Sequence, residues 1–254
     1  MSRCNVRNSR RFGFALVCLG FTGSGVAWAD PAHHADFYVE DPYAPHNTSG
    51  QTARLGTAVG FIYDQPQDVL ALGFEAAVGQ RFGRFAIEAE YAFLGFQSRG
   101  QYQTALGATD GDIGLGHGQR LGVLARYEVI RFDSKQVGPN TLAALYVEAG
   151  ADTAWNHWTR PAYNEPSRLV PDDTKRVEGQ GGFGIMLDHR LQEPIGFPHR
   201  VAWFLGWRMA MSPHQAMTGA ICRGSTSCKP VEMADTGGYV DNSMLFQSSL
   251  QFTF

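Results

Sequence analysis

The sequence predicts an all-β protein, an eight-stranded antiparallel transmembrane up-and-down β-barrel occupying residues 54–254. Three observations carry the prediction. Eight runs alternate with the period of two that a strand imposes on its side chains. The charges within those runs fall opposite the large apolar residues, and short connections alternate with long ones along the chain.

Each run can be read in order. The first sets Leu55, Thr57, Val59, Phe61 and Tyr63 against Gly56, Ala58 and Gly60; the second sets Leu70, Leu72, Phe74, Ala76 and Val78 against Gly73, Glu75, Ala77 and Gly79. After a Gly83-Arg84 turn, Phe85, Ile87, Ala89, Tyr91 and Phe93 alternate with Ala86, Glu88, Glu90, Ala92 and Leu94. The fourth places Leu121, Val123, Ala125, Tyr127 and Val129 opposite Arg120, Gly122, Leu124, Arg126 and Glu128. In the fifth, Ala143, Leu145, Val147, Ala149, Ala151 and Trp155 oppose Ala144, Tyr146, Glu148, Gly150 and Asp152. The sixth sets Val177, Phe183, Ile185 and Leu187 against Arg176, Glu178, Gln180 and Asp188; the seventh sets Val201, Trp203, Leu205, Trp207, Met209 and Met211 against Ala202, Gly206, Arg208 and Ala210. The last has Met244, Phe246, Leu250, Phe252 and Phe254 on one face and Gln247, Ser249, Gln251 and Thr253 on the other.

Two solvents fit such a pattern. In a soluble barrel the apolar face is the core; in an outer-membrane barrel it meets lipid and the charges line the interior. The run lengths suit a tilted bilayer crossing of about 9 to 11 residues. The connections at 97–116, 156–174 and 213–242 are long, whereas 64–68, 83–84 and 133–140 are short and 191–199 is moderate. All the long ones therefore fall at one end, the layout of a barrel with its long loops outside the cell.

The 254 residues are 44% hydrophobic and 18% charged, which excludes a disordered or collagen-like chain. A formal charge of −3 argues against a nucleic-acid partner, which requires a strongly basic face. The start reads as a secretory signal over residues 1–29: Arg3, Arg7, Arg10 and Arg11, an apolar stretch from Phe12 to Phe21, then Ala27-Trp28-Ala29, with cleavage before Asp30. Val17 before Cys18 argues against a lipid anchor. Loss of the four arginines leaves 17 basic against 24 acidic side chains, a net of −7. Cys4 and Cys18 leave with the signal. The remaining pair, Cys222 and Cys228, is expected to form a disulfide in the longest loop, because export is oxidising. Residues 30–53 show no period and read as a periplasmic tail or linker.

The closing residues Leu250-Gln251-Phe252-Thr253-Phe254 carry a resemblance. An amphipathic last strand with a terminal aromatic resembles the assembly signal of Gram-negative outer-membrane proteins. The eight-strand plan is similar to the OmpA-type membrane domain and OmpX-like small barrels over residues 54–254. The resemblance implies outer-membrane residence, lipid and lipopolysaccharide as surroundings, and recognition of Leu250, Phe252 and Phe254 by the barrel-insertion machinery. Function is left open, because adhesins, tethers, small channels and lipid-modifying enzymes share the scaffold. No peptidoglycan-binding domain follows the barrel, so a tethering role is not implied.

The sequence offers little catalytic chemistry. Ser98, His117, Asp152, His157, Ser212 and His214 sit near the expected outer rim, but none forms a His-x-Ser pair on a lipid-facing strand. His33, His34 and His46 lack regular ligand spacing. Asp110-Gly111-Asp112 begins like a calcium loop without its closing Glu and reads as an acidic loop tip. No metal, cofactor or catalytic set is assigned.

The interior charges are more informative. Glu75, Glu88, Glu90, Arg120, Arg126, Glu128, Glu148, Asp152, Glu178 and Arg208 point into a barrel just wide enough for side chains to fill. Unpaired charges there are costly, so a salt-bridge plug is expected, with Arg126 pairing with Glu148 and with Glu75, Glu90 and Arg208 completing the network. Tyr63, Phe93, Trp155 and Trp158 at one end, and Phe82, Phe85, Trp203 and Phe254 at the other, read as aromatic girdles. The expected role is a surface or partner-binding barrel with an extracellular protein partner. A small transport channel and a lipid A-modifying enzyme are the alternatives.

Overall fold

The computed structural model describes residues 48–64, 67–104, 107–160, 168–191, 198–215, 218–223, 227–232 and 240–254. The signal segment, the cleavage point before Asp30 and the histidines 33, 34 and 46 lie outside the described residues. So do the side chains of Tyr63, Ser98, Asp110 and Asp112.

Eight long strands close on themselves: β1 (Gly50–Asp64), β2 (Gln67–Phe82), β3 (Phe85–Thr104), β4 (Gly107–Phe132), β5 (Thr141–Trp158), β7 (Thr174–Arg190), β8 (Arg200–Pro213) and β11 (Val240–Thr253). Each pairs antiparallel with its neighbour in the chain order of the barrel, and β1 completes the ring against β11 from Thr52 opposite Thr253 to Tyr63 opposite Asn242. Three short strands, β6 (Arg168–Pro171), β9 (Thr218–Arg223) and β10 (Ser227–Glu232), form a separate sheet in the order β10-β9-β6. Closure removes the free edges that an open sheet would leave.

Alternation drives each strand. In β8, residues 202, 204, 206, 208, 210 and 212 are buried, and Trp203, Trp207, Met209 and Met211 are exposed between them. The same holds around the ring, so the outward side carries Leu72 (63% exposed), Val78 (63%), Val177 (66%) and Phe183 (64%) while Glu75 and Glu88 are each 1% exposed inside.

The short-turn end is built from local signals. β2 and β3 join through Gly83-Arg84, where Gly83 has φ +61°, a left-handed conformation at the first turn position that glycine adopts without a Cβ clash. The connection after β4 contains a one-turn helix, α1 (Ser134–Val137). Its start is capped reciprocally: Lys135 N donates to Asp133 Oδ1 at 3.3 Å, and Asp133 N donates to Gln136 Oε1 at 3.1 Å.

Four details differ from the sequence reading. β1 starts at Gly50 rather than 54, and Thr48 Oγ1 donates to Gly83 O at 2.8 Å, so the end of the supposed tail is seated on the barrel. The connection at 97–116 is not an irregular loop: β3 and β4 continue as a paired ribbon to Thr104 opposite Gly107. Residues 110–112 are consequently strand, because the Gly- and Thr-containing segment finds backbone partners beyond the barrel wall. The register of β4 also shifts between Glu128 and Ile130, leaving both Val129 and Ile130 outward, each 46% exposed.

Trp158 is the fourth correction. It is 6% exposed and meets Phe96 edge-on, ring centroids 4.8 Å apart, rather than joining an outer girdle. It belongs to an apolar cluster with Ala58, Ala71, Leu94, Phe96 and Leu245 of the barrel and Val170 and Cys222 of the small sheet. Loop strands at the long-loop end supply a second apolar surface, so Trp158 gains more by burial than by facing outward.

Candidate functional site

The interior is organised in tiers of ion pairs. At the short-turn end, Arg81 bridges Glu128 (2.6 Å) and Asp188 (2.7 Å), Arg200 reaches Asp188 at 3.0 Å, and Arg131 reaches Glu128 at 2.5 Å. Arg131 also donates to Gly83 O at 2.7 Å, tying this tier to the β2–β3 turn.

The middle tier centres on Arg54, which is 3% exposed. Its guanidinium pairs with Glu75, with Glu88 at 3.1 Å and with Glu90 at 2.5 Å. Arg208 pairs with Glu90 and holds Glu148 at 2.8 Å. Arg126 stands directly opposite Glu148 in the β4–β5 register but approaches Glu88 more closely, at 2.9 Å against 3.8 Å to Glu148. The Arg126 guanidinium lies 4.2 Å from the Phe204 ring centroid, a face that attracts a cation.

A third tier lies toward the long loops. Arg176 contacts Glu178 at 2.7 Å and Asp241 at 3.4 Å, Arg120 contacts Glu178 at 3.2 Å, and His214 Nδ1 lies 2.6 Å from Asp241. Asp152 faces Glu178 across the β5–β7 ladder, and both are buried. Every residue named for the interior network is therefore inside, and the pairs form a continuous mesh across β1, β2, β3, β4, β5 and β8. What the mesh does chemically is tie strands of the wall to one another: paired charges in a low-dielectric space resist separation, because each lost partner leaves a buried charge uncompensated.

Sequence reasoning overlooked Arg54, Arg81, Arg131 and Arg200. Arg54 shares the parity of Gly56 and Ala58, Arg81 that of Glu75, and Arg200 that of Arg208, so alternation alone assigns these three to the inner face. Arg131 lies beyond the β4 irregularity, where parity reverses, and no sequence signal marks that position.

Among the described residues, the rim candidates are divided between the two faces of the wall. Ser212 and Asp152 are buried inside the barrel, whereas His157 faces outward and meets Asp173 at 2.8 Å. The Cys222–Cys228 disulfide is present, joining the directly paired positions of β9 and β10. It staples the small sheet where Cys222 packs on the apolar cluster. Among the described residues, no group of three or more His, Cys, Asp or Glu side chains is placed to hold a metal ion.

No family model matches the sequence, and no curated protein matches it. Among solved structures, the chain is similar to Neisserial surface protein A (NspA), with 12% identity and a TM-score of 0.45 over 81% of this chain and 98% of that one. It is also similar to the outer membrane protein OprG from Pseudomonas aeruginosa, with 12% identity and a TM-score of 0.43 over 85% and 99% of the two chains.

The class follows from the chain's own two faces. A closed antiparallel eight-stranded barrel, apolar around its outside and ion-paired within, has the polarity of a membrane-spanning β-barrel and the reverse of a water-soluble one.

Proposed function

We propose that this chain is a non-enzymatic integral outer-membrane protein whose interior is sealed by its own charges and whose long loops present a surface to a partner outside the cell. The observation that carries the reading is the Arg54 hub. One guanidinium engages three carboxylates from β2 and β3, and Arg126 and Arg208 extend the mesh to β4, β5 and β8. Side chains cross the lumen from opposite walls, which favours a plug over a permeation path. The disulfide-stapled sheet supports the surface role, since it gives the longest loops a fixed shape. Leu250 and Phe252 on the outward face of β11, with Phe254 directly after its last residue, are the proposed signal for the insertion machinery.

Cell fractionation with electrophoresis of boiled and unboiled samples tests the reading. The expected result is recovery in the outer membrane, extraction only by detergent, and a mobility that changes on boiling. Recovery in the soluble periplasmic fraction without detergent contradicts it.

A further inference from the structure

Toward the long-loop end, the apolar outer wall gives way to polar side chains across β4, β5 and β7. On β4 the outward residues run Leu121, Val123, Tyr127, Val129, Ile130 and Phe132, then turn polar at Gln119 and His117. On the neighbouring strands the same change occurs: Lys175 follows Val177 on β7, and His157 lies beyond Trp155 on β5. The register brings these together, with Gln119 opposite Trp155, Trp155 opposite Lys175, and His117 opposite His157.

The height of this polar notch is informative. From Leu121 to Phe132 the apolar stretch of β4 rises about 27 Å, at roughly 3.3 Å per residue and a tilt of about 40°. That is close to the thickness of a bilayer's hydrocarbon core, so Gln119 and Lys175 stand where acyl chains give way to headgroups. Together with Asn156, Asp173 and Thr174 the notch residues line a cavity of about 250 Å³. Rings lead up to it: Phe74 stacks on Phe93 at 5.6 Å, Phe93 on His117 at 5.6 Å, and His117 lies 5.1 Å from His157. Asp173 holds His157 Nδ1 at 2.8 Å and fixes that ring, while Lys175 Nζ sits 5.6 Å from the Trp155 ring centroid. Among the described residues, Gln119 and Lys175 have no hydrogen-bond or ion-pair partner. Polar groups at the edge of hydrocarbon need a partner.

We infer that this notch binds a phosphate group on the lipid portion of lipopolysaccharide. Lys175 and the Gln119 amide would hold the phosphate, and an acyl chain would lie along Phe93 and Leu121. The Lys175 ammonium only donates and the Gln119 NH2 can donate beside it, while the Asp173 carboxylate in the same lining is engaged by His157; the charge left uncommitted is positive, which favours an anion. The position at the long-loop end selects the outer leaflet; this step rests on the outer-membrane reading above.

The test uses the full folded barrel in phosphatidylcholine nanodiscs, titrated with rough lipopolysaccharide, its dephosphorylated form, and phosphatidylglycerol, with bound lipid counted by native mass spectrometry. The wild type is expected to prefer the phosphorylated lipopolysaccharide by about tenfold, the effect of losing one charge-assisted hydrogen bond. The Gln119→Leu/Lys175→Gln double variant should lose that preference, and Arg84→Gln at the opposite end should keep it. Equal binding of both lipopolysaccharide forms, retention of the preference by the double variant, or stronger capture of phosphatidylglycerol overturns the site. Fractionation reports separately on the outer-membrane reading, and unchanged heat-shifted mobility of each variant shows that it has folded.

Discussion

Arg126 faces Glu148 directly across the β4–β5 ladder, yet its guanidinium is nearer Glu88, 2.9 Å away against 3.8 Å. The Arg126–Glu148 ion pair that the register favours is present but is the longer of the two. Glu148 is also held by Arg208 at 2.8 Å, so each carboxylate of the middle tier is engaged from another strand. Register sets which side chains can meet, and charge balance across the lumen decides which do.

Removing the hub should cost more than removing an edge of the mesh. Arg54→Met leaves Glu75, Glu88 and Glu90 with one shared partner fewer, and destabilisation of about 3 to 5 kcal/mol is expected. Arg126→Met combined with Glu88→Gln should cost less than Arg126→Met alone, since it also removes the carboxylate that Arg126 holds most closely. Urea unfolding of the barrel in bilayers or micelles measures both.

The disulfide should act locally. Cys222→Ala is expected to leave the barrel folded while loosening the small sheet, with about 2 kcal/mol lost from closure of so short a ring. Limited proteolysis checks this: cleavage should accelerate within residues 218–232 and nowhere in the barrel. Alkylation of free thiols in the unreduced wild type would contradict the pairing.

Deleting Phe254 should separate assembly from stability. β11 ends at Thr253 and pairs with β1 from Thr52 to Tyr63; deletion removes the Phe254 N donation to Gln51 O at 2.9 Å but leaves that register, so the shortened chain should refold in detergent. Its level in the membrane should nevertheless fall, because the proposed signal is read by the insertion machinery. Normal membrane levels would make the terminal aromatic incidental.

His199 gives a pH dependence at the short-turn end. Burial, and then the positive charge of Arg200, lower its pKa below the usual histidine value. The folded state thus favours the neutral ring. Its contribution is fully present above the unfolded pKa of about 6.5 and declines as pH falls below it, because the unfolded chain then binds more protons. His199→Gln should flatten the stability profile between about pH 7.5 and pH 5, a range that brackets the histidine pKa. An unchanged profile would remove His199 from the account.

Much of this architecture was legible because a strand's period of two is strict. Parity placed Glu75, Glu90, Arg126, Glu148 and Arg208 on one face without any knowledge of register, and parity could also have placed Arg54. It failed where the chain departs from simple alternation. The shift between Glu128 and Ile130 hides Arg131, and the ribbon beyond residue 97 carries many small and polar residues that mimic a loop. Trp158 was misplaced for another reason: the surface that buries it comes from β6 and β9, distant in sequence and short. The preference of Arg126 for Glu88 depends on distances across the lumen, which no one-dimensional pattern encodes.

If the charges seal the barrel, its lumen passes no ions. Planar-bilayer recording of the purified, folded protein tests it most directly. The wild type should show no steady ionic conductance, and Arg54→Ala, where the hub joining β1 to β2 and β3 is gone, should show conductance events. Stable, stepwise conductance from the wild-type protein would contradict the plug and make the mesh the lining of a pore.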